Sequence, residues 1–194
     1  MISDVSICNQ ALSKLGTQTI VSLTEENKTA RRCNLIYEQI RDSVLRDHTW
    51  SFGTKIEELA LLAYETVVNW DYLYIIPVDC LFVIKIFDQN NLDTNNYDKL
   101  LSPDTNTPII ATNIAQAYMR YILRVRDSNL LDNAFVQAFI ARLASELAIP
   151  LTGDLKKAEY YRSEYVGLVE TAKRADAQEK NIKIDRESKY YKVR

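Results

Sequence analysis

The chain has 194 residues and a net charge of −2, with 47% apolar and 26% charged residues. That is ordinary for a globular protein with one domain, or one domain carrying a large insertion. It lacks the basic excess of a dedicated nucleic-acid binder. Only four Gly and four Pro leave little material for flexible linkers, whereas 12 Tyr suit half-buried contact surfaces. Cys8, Cys33 and Cys80 each sit among apolar neighbours and read as small core residues of a reducing compartment. Met1 leads directly into Ile2-Ser3-Asp4 without a basic region or long apolar run, so neither a signal peptide nor a membrane span is expected.

Ser3 is placed to cap a first helix whose apolar face is Val5, Cys8, Leu12 and Leu15, with Gly16 ending it. Thr24 with Asn27, or the Glu25-Glu26 pair, opens a second helix. Its inner face is Ala30, Cys33, Tyr37, Ile40, Val44 and His48, and its outer face carries Arg31, Arg32, Glu38, Arg41 and Asp42. The short link predicts that the two helices lie antiparallel. From Trp50 the period changes. Trp70 to Ile76 has strand composition stopped by Pro77, and Cys80 to Phe87 is a second strand. Gln89 to Asn96 is rich in Asn and Asp and reads as a hairpin loop. Tyr97 to Leu101, Pro108 to Thr112 and Ile114 to Arg124 are further strands, the last with Ala115, Ala117, Met119, Tyr121 and Leu123 on one face.

Asp127 to Asn133 is the turn out of the sheet, and Asp132 caps a third helix with a wide stripe of Phe135, Val136, Phe139, Ile140, Leu143 and Leu147. Pro150 and Gly153 are expected to stop it. Phe135 and Phe139 would suit either the interior or a neighbouring subunit. Asp154 caps a fourth helix with Ala158, Tyr161, Tyr165, Leu168 and Ala172 on one face. From Lys173 onward eight Lys and Arg stand against four Asp and Glu, so this end is +4 and the remainder −6. A basic end on an acidic body suits docking on an acidic partner as well as it suits a solvated terminus.

The expected fold is α+β. A four-helix bundle forms from the N- and C-terminal helix pairs, with a central antiparallel β-sheet insertion and an extended C-terminal arm. The divisions are 1–50 for the first half of the bundle, 51–126 for the β-rich insertion, 127–181 for the second half and 182–194 for the arm.

Chemistry is sparse. His48 is the single His, without the partners of a zinc site or the G-x-S-x-G of a hydrolase elbow, and reads as a helix-end residue. No glycine-rich phosphate loop occurs. Glu25-Glu26 and Glu57-Glu58 are adjacent pairs, which do not converge on one cleft as a glycosidase requires. Arg31, Arg32, Arg41 and Arg46 form a basic stripe that could meet phosphate, but pairing with Glu38, Asp42 and Asp47 is the favoured reading. The link between the first two helices is too long for a helix-turn-helix.

Four blocks, in order, resemble one family. They are ALSKLGTQTIVSL at 11–23, TARRCNLIYEQIRDSVLRDHTWSF at 29–52, YIIPVDCLFVIKI at 74–86, and YILRVRDSNLLDNAFVQAFIARLASELAIPLTGD at 121–154. Their wording is similar to that of the head–tail adaptor proteins of short-tailed bacteriophages, the tail tubular protein A family. Gly53 departs from the Ala that often follows the family's W-x-F, and the stretch after Asn181 has no counterpart. The resemblance implies a structural, non-enzymatic virion protein of the viral tail, assembled in the host cytoplasm without a cofactor or metal. It would form a ring, usually dodecameric, that joins the portal protein to the tail nozzle protein, often offers a platform for tail fibres, and continues the channel for DNA ejection. DNA would be transiting content only, and an acidic body fits a channel that does not trap it. The arm would dock on the portal through Lys183, Ile184, Arg186, Lys189, Tyr190, Tyr191, Lys192 and Arg194. Two other readings of the residues are a virion-associated carbohydrate hydrolase using Glu57 or Glu58, and a small nucleic-acid-binding protein using Arg31, Arg32 and the tail.

Overall fold

The computed structural model describes residues 2–62, 67–90, 93–94 and 96–179. The protein is mixed α and β, with four helices and two antiparallel sheets. The elements are α1 (Asp4–Leu15), α2 (Lys28–Arg46), β1 (Thr54–Glu58), β2 (Ala60–Leu61), β3 (Tyr72–Ile75), β4 (Cys80–Phe87), β5 (Asp93–Thr94), β6 (Tyr97–Leu101), β7 (Pro108–Thr112), β8 (Tyr118–Leu123), α3 (Asn133–Thr152) and α4 (Leu155–Glu179). The expected arm, with Lys183, Ile184, Arg186, Lys189, Tyr190, Tyr191, Lys192 and Arg194, lies outside the described residues.

Local signals place the helix ends. Ser3 and Ser6 form a reciprocal capping box at the start of α1, and Gly16 closes it in the left-handed region at φ 70°. Asn27, not Thr24 or Glu25, caps α2, its side chain accepting from the Ala30 N–H at 2.7 Å. Asp132 accepts from the Ala134 and Phe135 N–H groups at the start of α3, and Asp154 accepts from Lys157 at the start of α4. Pro150 does not stop α3. It sits inside the last turn, where it forfeits one hydrogen bond, and the helix runs on to Gly153, whose N–H reaches the Ile149 carbonyl at 2.9 Å.

The helical core is organised around α3. Its apolar residues are buried over most of their circumference, because α1, α2 and α4 all pack against it. By length and hydropathy α3 is the one described helix that could cross a membrane, yet most of it is enclosed by the chain's own core. Phe135 and Phe139 are both 0% exposed, so they pack inside one subunit. Trp50, Phe52 and Phe135 form a mutual ring cluster with centroids 5.1–5.9 Å apart. The W-x-F segment thus links the end of α2 to the start of α3. Tyr37 of α2 donates to Asp4 of α1 at 2.9 Å, and Ser128, in the 3-10 turn before α3, donates to the same carboxylate. The start of α4 covers the end of α1. Lys157 Nζ donates to the Leu15 carbonyl at 2.8 Å, Tyr161 donates to the Lys14 carbonyl, and Lys14 pairs with Glu164 at 2.8 Å.

The middle of the chain forms two four-stranded antiparallel sheets rather than the single sheet expected, in the orders β1-β8-β4-β5 and β2-β3-β7-β6. The chain crosses between them at Leu59, whose N–H still bonds the Ala117 carbonyl before β2 joins the second sheet. The division has a physical cause. Val83, Ile86, Ala117, Met119 and Tyr121 from the first sheet and Tyr74 and Ile110 from the second make one shared core, whereas one broad sheet would leave an apolar face in water. The last strand begins at Tyr118 rather than Ile114, and Ala115 is exposed in the bend before it. β8 also joins the two parts of the protein. Met119 and Tyr121 enter the inter-sheet core, while Ile122, on the opposite face, enters the helical core.

Candidate functional site: polar clusters and exposed apolar faces

Three polar clusters merit a chemical reading. The first lies where β1, β8 and the loop before β4 meet. Tyr121 donates to Glu57 Oε1 at 2.8 Å and lies 3.3 Å from Asp79 Oδ1, and Lys55 Nζ is 2.6 Å from Glu57 Oε2. Burial works against the Glu57 charge, but the Lys55 and Tyr121 hydrogen bonds outweigh it and hold the carboxyl below its ordinary value. Burial, together with the two carboxylates, pushes the Tyr121 hydroxyl well up. Glu58, on the opposite face of β1, meets Gln116 and Tyr118. Glu57 and Glu58 therefore do not converge, in keeping with a strand's alternation.

The Glu57 shift has a defined sign. A carboxyl depressed in the folded state stabilises above its unfolded value, near 4.5, and loses that contribution as pH falls through its lower folded value. Glu57→Gln should therefore be less stable than wild type at pH 7 and show a shallower loss of stability as pH falls below about 4.5. Denaturant midpoints across that range would show it, and parallel pH profiles would contradict it.

The second cluster surrounds His48. Its Nε2 is 2.9 Å from Asp176 Oδ2, and its ring stands edge-on to Trp50 at 4.9 Å. The other Asp176 oxygen accepts the Ser51 N–H at 2.6 Å. Beside it, Tyr165 donates to Asp47, and burial, ahead of that carboxylate, raises the tyrosine's pKa. These contacts hold the last turns of α4 to the end of α2 and the start of the strand region. His48 is a helix-end residue, as its position in the sequence suggests, and its carboxylate partner lies 128 residues away.

The third cluster corrects the expected outer face of α2. Arg41 is 3% exposed, not outward. Its guanidinium reaches Asp42 Oδ1 at 3.1–3.2 Å, and Arg124 Nε binds Asp42 Oδ2 at 2.8 Å as the chain leaves β8. Two arginines thus share one carboxylate at the joint between helices and sheet. Of the expected pairings, Arg41 meets Glu38 at 3.8 Å and Asp42. Asp47 is taken by Tyr165, and Arg31, Arg32 and Arg46 make no ion pair among the described residues.

Sequence reasoning missed Asp79 and Asp176 as organising groups and, for Asp42, which was expected to pair with the α2 arginines, it missed Arg124, because these partners come from distant segments. Among the described residues no group of three His, Cys, Asp or Glu side chains could hold a metal ion. The surface instead carries separate exposed apolar positions. Ile56 and Phe82 lie on the outside of the first sheet. Ile56 borders an open groove of about 480 Å3 lined also by Thr49, Ser51, Thr54, Ile84 and Arg120. Leu155, Tyr160 and Val166 stand exposed on α4, and Leu35 on α2.

No protein-family model matches the sequence, and no curated protein shows significant similarity to it.

Proposed function

We propose that this protein is a structural adaptor of a short-tailed bacteriophage, a ring subunit that joins the portal to the tail nozzle and continues the DNA channel. The observation that carries this reading is where the four family-like blocks lie in the fold. ALSKLGTQTIVSL is α1 and its link, and Asn9 of α1 fastens that link through both the N–H and the carbonyl of Ile20 at 2.8 Å. TARRCNLIYEQIRDSVLRDHTWSF is α2 with the Trp50–Phe52 cluster, and YIIPVDCLFVIKI is the turn into β4. The stretch from Tyr121 to Asp154 carries Ile122, Arg124 and α3. Together these stretches form the joints between helices and sheets, which suits a protein that works by shape.

In this reading the N- and C-terminal helix pairs close a four-helix bundle, and such bundles pack side by side around the ring. The sheets project toward partner proteins, with exposed Ile56 and Phe82 supplying contact area. The arm from Lys183 to Arg194, basic and bearing Tyr190 and Tyr191, docks on the portal. Assembly takes place in the host cytoplasm and the product resides in the virion tail.

Attachment to portal-bearing capsids tests the proposal. The full chain should co-sediment with them, and a chain ending at residue 181 should fold normally but attach at least tenfold more weakly. Equal attachment of the two would remove the arm from the account, and no attachment of the full chain would remove the adaptor reading.

A further inference from the structure

Asp4 and Cys8 stand one turn apart on α1, and Cys33 and Tyr37 stand one turn apart on α2. The Tyr37 hydroxyl donates to Asp4 at 2.9 Å and so fixes the register of the two helices at that level. One turn forward along α1, from Asp4 to Cys8, is matched by one turn back along α2, from Tyr37 to Cys33. The two thiols meet there, with the Cys8 S–H donating to the Cys33 sulfur. Both residues are 0% exposed and belong to the helical core. Cys80, the third cysteine, is half-buried on β4 and has no thiol beside it.

The paired thiols are chemically unlike. Cys8 gives its proton to the hydrogen bond with Cys33, is buried, and lies near the Asp4 carboxylate, and all three effects keep it protonated. The same hydrogen bond favours negative charge on Cys33 and pulls that thiol below its ordinary value against the effect of burial. Cys33 is therefore the better nucleophile, and Cys8 is placed to resolve what forms on it. Packing alone asks only for small apolar side chains at these two positions. Two sulfurs in contact add the capacity for a two-electron oxidation.

We propose that Cys8 and Cys33 are a redox pair that closes to a disulfide in the presence of a small peroxide and ties α1 to α2. The Cys33 sulfur attacks one oxygen of hydrogen peroxide and the O–O bond breaks. The Cys33 proton leaves with the other oxygen as water, and a sulfenic acid remains. The Cys8 sulfur then attacks the Cys33 sulfur, the S–O bond breaks and the S–S bond forms. The Cys8 proton leaves with the displaced hydroxide as a second water. The two thiols give up two electrons, and the peroxide is reduced to two waters. Hydrogen peroxide is close to water in size, which suits a pair enclosed in the core.

The bridge closes the loop from residue 8 to residue 33, whose path Asn9 already fastens at Ile20. Constraining a loop of about 25 residues in the unfolded chain should raise the thermal midpoint by roughly 5–10 °C. This chemistry belongs to the isolated chain and does not rest on the adaptor reading.

The test uses the full chain carrying Cys80→Ala, so that only the pair reacts. Folded protein is treated with hydrogen peroxide, then unfolded in an alkylating reagent and read by peptide mass spectrometry. A peptide joining Cys8 to Cys33 should appear and be split by dithiothreitol. The thermal midpoint should rise by roughly 5–10 °C on oxidation and return on reduction. C8A/C80A and C33A/C80A should form no bridge and show no rise, and C8A/C80A should accumulate sulfenic acid at Cys33 that dimedone traps. Each protein is compared with itself, with and without peroxide, so any stability lost to a substitution does not enter the readout. Two free thiols after peroxide treatment of the folded chain would overturn the proposal. Sulfinic acid at either cysteine without a bridge, or a bridge that lowers the midpoint, would overturn it as well.

Discussion

Replacing Phe135 with alanine is expected to lower stability by about 3–5 kcal/mol, the range for truncating a fully enclosed aromatic side chain. Phe135 is 0% exposed and meets Trp50 and Phe52 edge-to-face at 5.2 and 5.1 Å and Phe139 at 6.1 Å. Removing the ring opens a void at the meeting point of α2, α3 and the start of the strand region. Three aromatic partners lose contact at once, and large rings on helix ends cannot easily collapse into the space. Thermal unfolding should fall by roughly 10 °C, using about 2–4 °C per kcal/mol for a chain of this size. Phe135→Leu, which refills most of the volume, should cost much less. A small effect of Phe135→Ala on the isolated subunit would mean that this cluster does not join helices to sheet.

The second large effect is expected at Asp176. It is 7% exposed, and its two oxygens serve the Ser51 N–H and His48. Asp176→Ala removes a charged acceptor and leaves the Ser51 N–H short of its partner, a loss of about 2–3 kcal/mol. The effect should be local in character. α4 beyond Val169 would lose its polar attachment to the end of α2, so amide exchange over residues 170–179 should accelerate far more than exchange in α3. Asp176→Asn keeps the shape and one carbonyl acceptor and should recover part of the protection. Unchanged exchange at the end of α4 in Asp176→Ala would contradict this role.

Much of the helical framework was legible because its signals are local. Ser3, Asn27, Asp132 and Asp154 sit where the chain needs an acceptor for orphan N–H groups, and Gly16 and Gly153 where it needs a positive φ. The strands β4, β6 and β7 have the bounds expected from composition and turn residues. Pro150 was misleading because a proline in the last turn removes a single bond and α3 tolerates it. The split into two sheets was not legible. It depends on which apolar faces meet across β3, β4, β7 and β8, and period-two alternation in one strand does not name the opposing face.

The polar joints were hidden for a related reason. Arg41 stands four residues after the buried Tyr37 and three before the buried Val44, so it lies on the inner stripe despite its charge, and its neighbour Asp42 also takes Arg124 from 82 positions later. His48 sits at a helix end, and nothing near it in sequence points to Asp176. At Arg31 and Arg32 no local pairing forms, because the positions one turn away are Asn27, Lys28, Thr29, Asn34, Leu35 and Ile36, none of them acidic. Spacing gives the partners a side chain could reach, and the fold decides which of them it meets.

The central claim is that this chain acts as a ring subunit on a portal. The most direct measurement is the native mass and electron-microscopic image of purified protein, alone and mixed with the portal of its own virus. The account predicts a discrete complex in which a ring of this chain, usually twelve copies by the resemblance, caps the portal and prolongs its channel, whether or not the chain is monomeric by itself. A chain that stays unassembled in the presence of that portal would contradict the account.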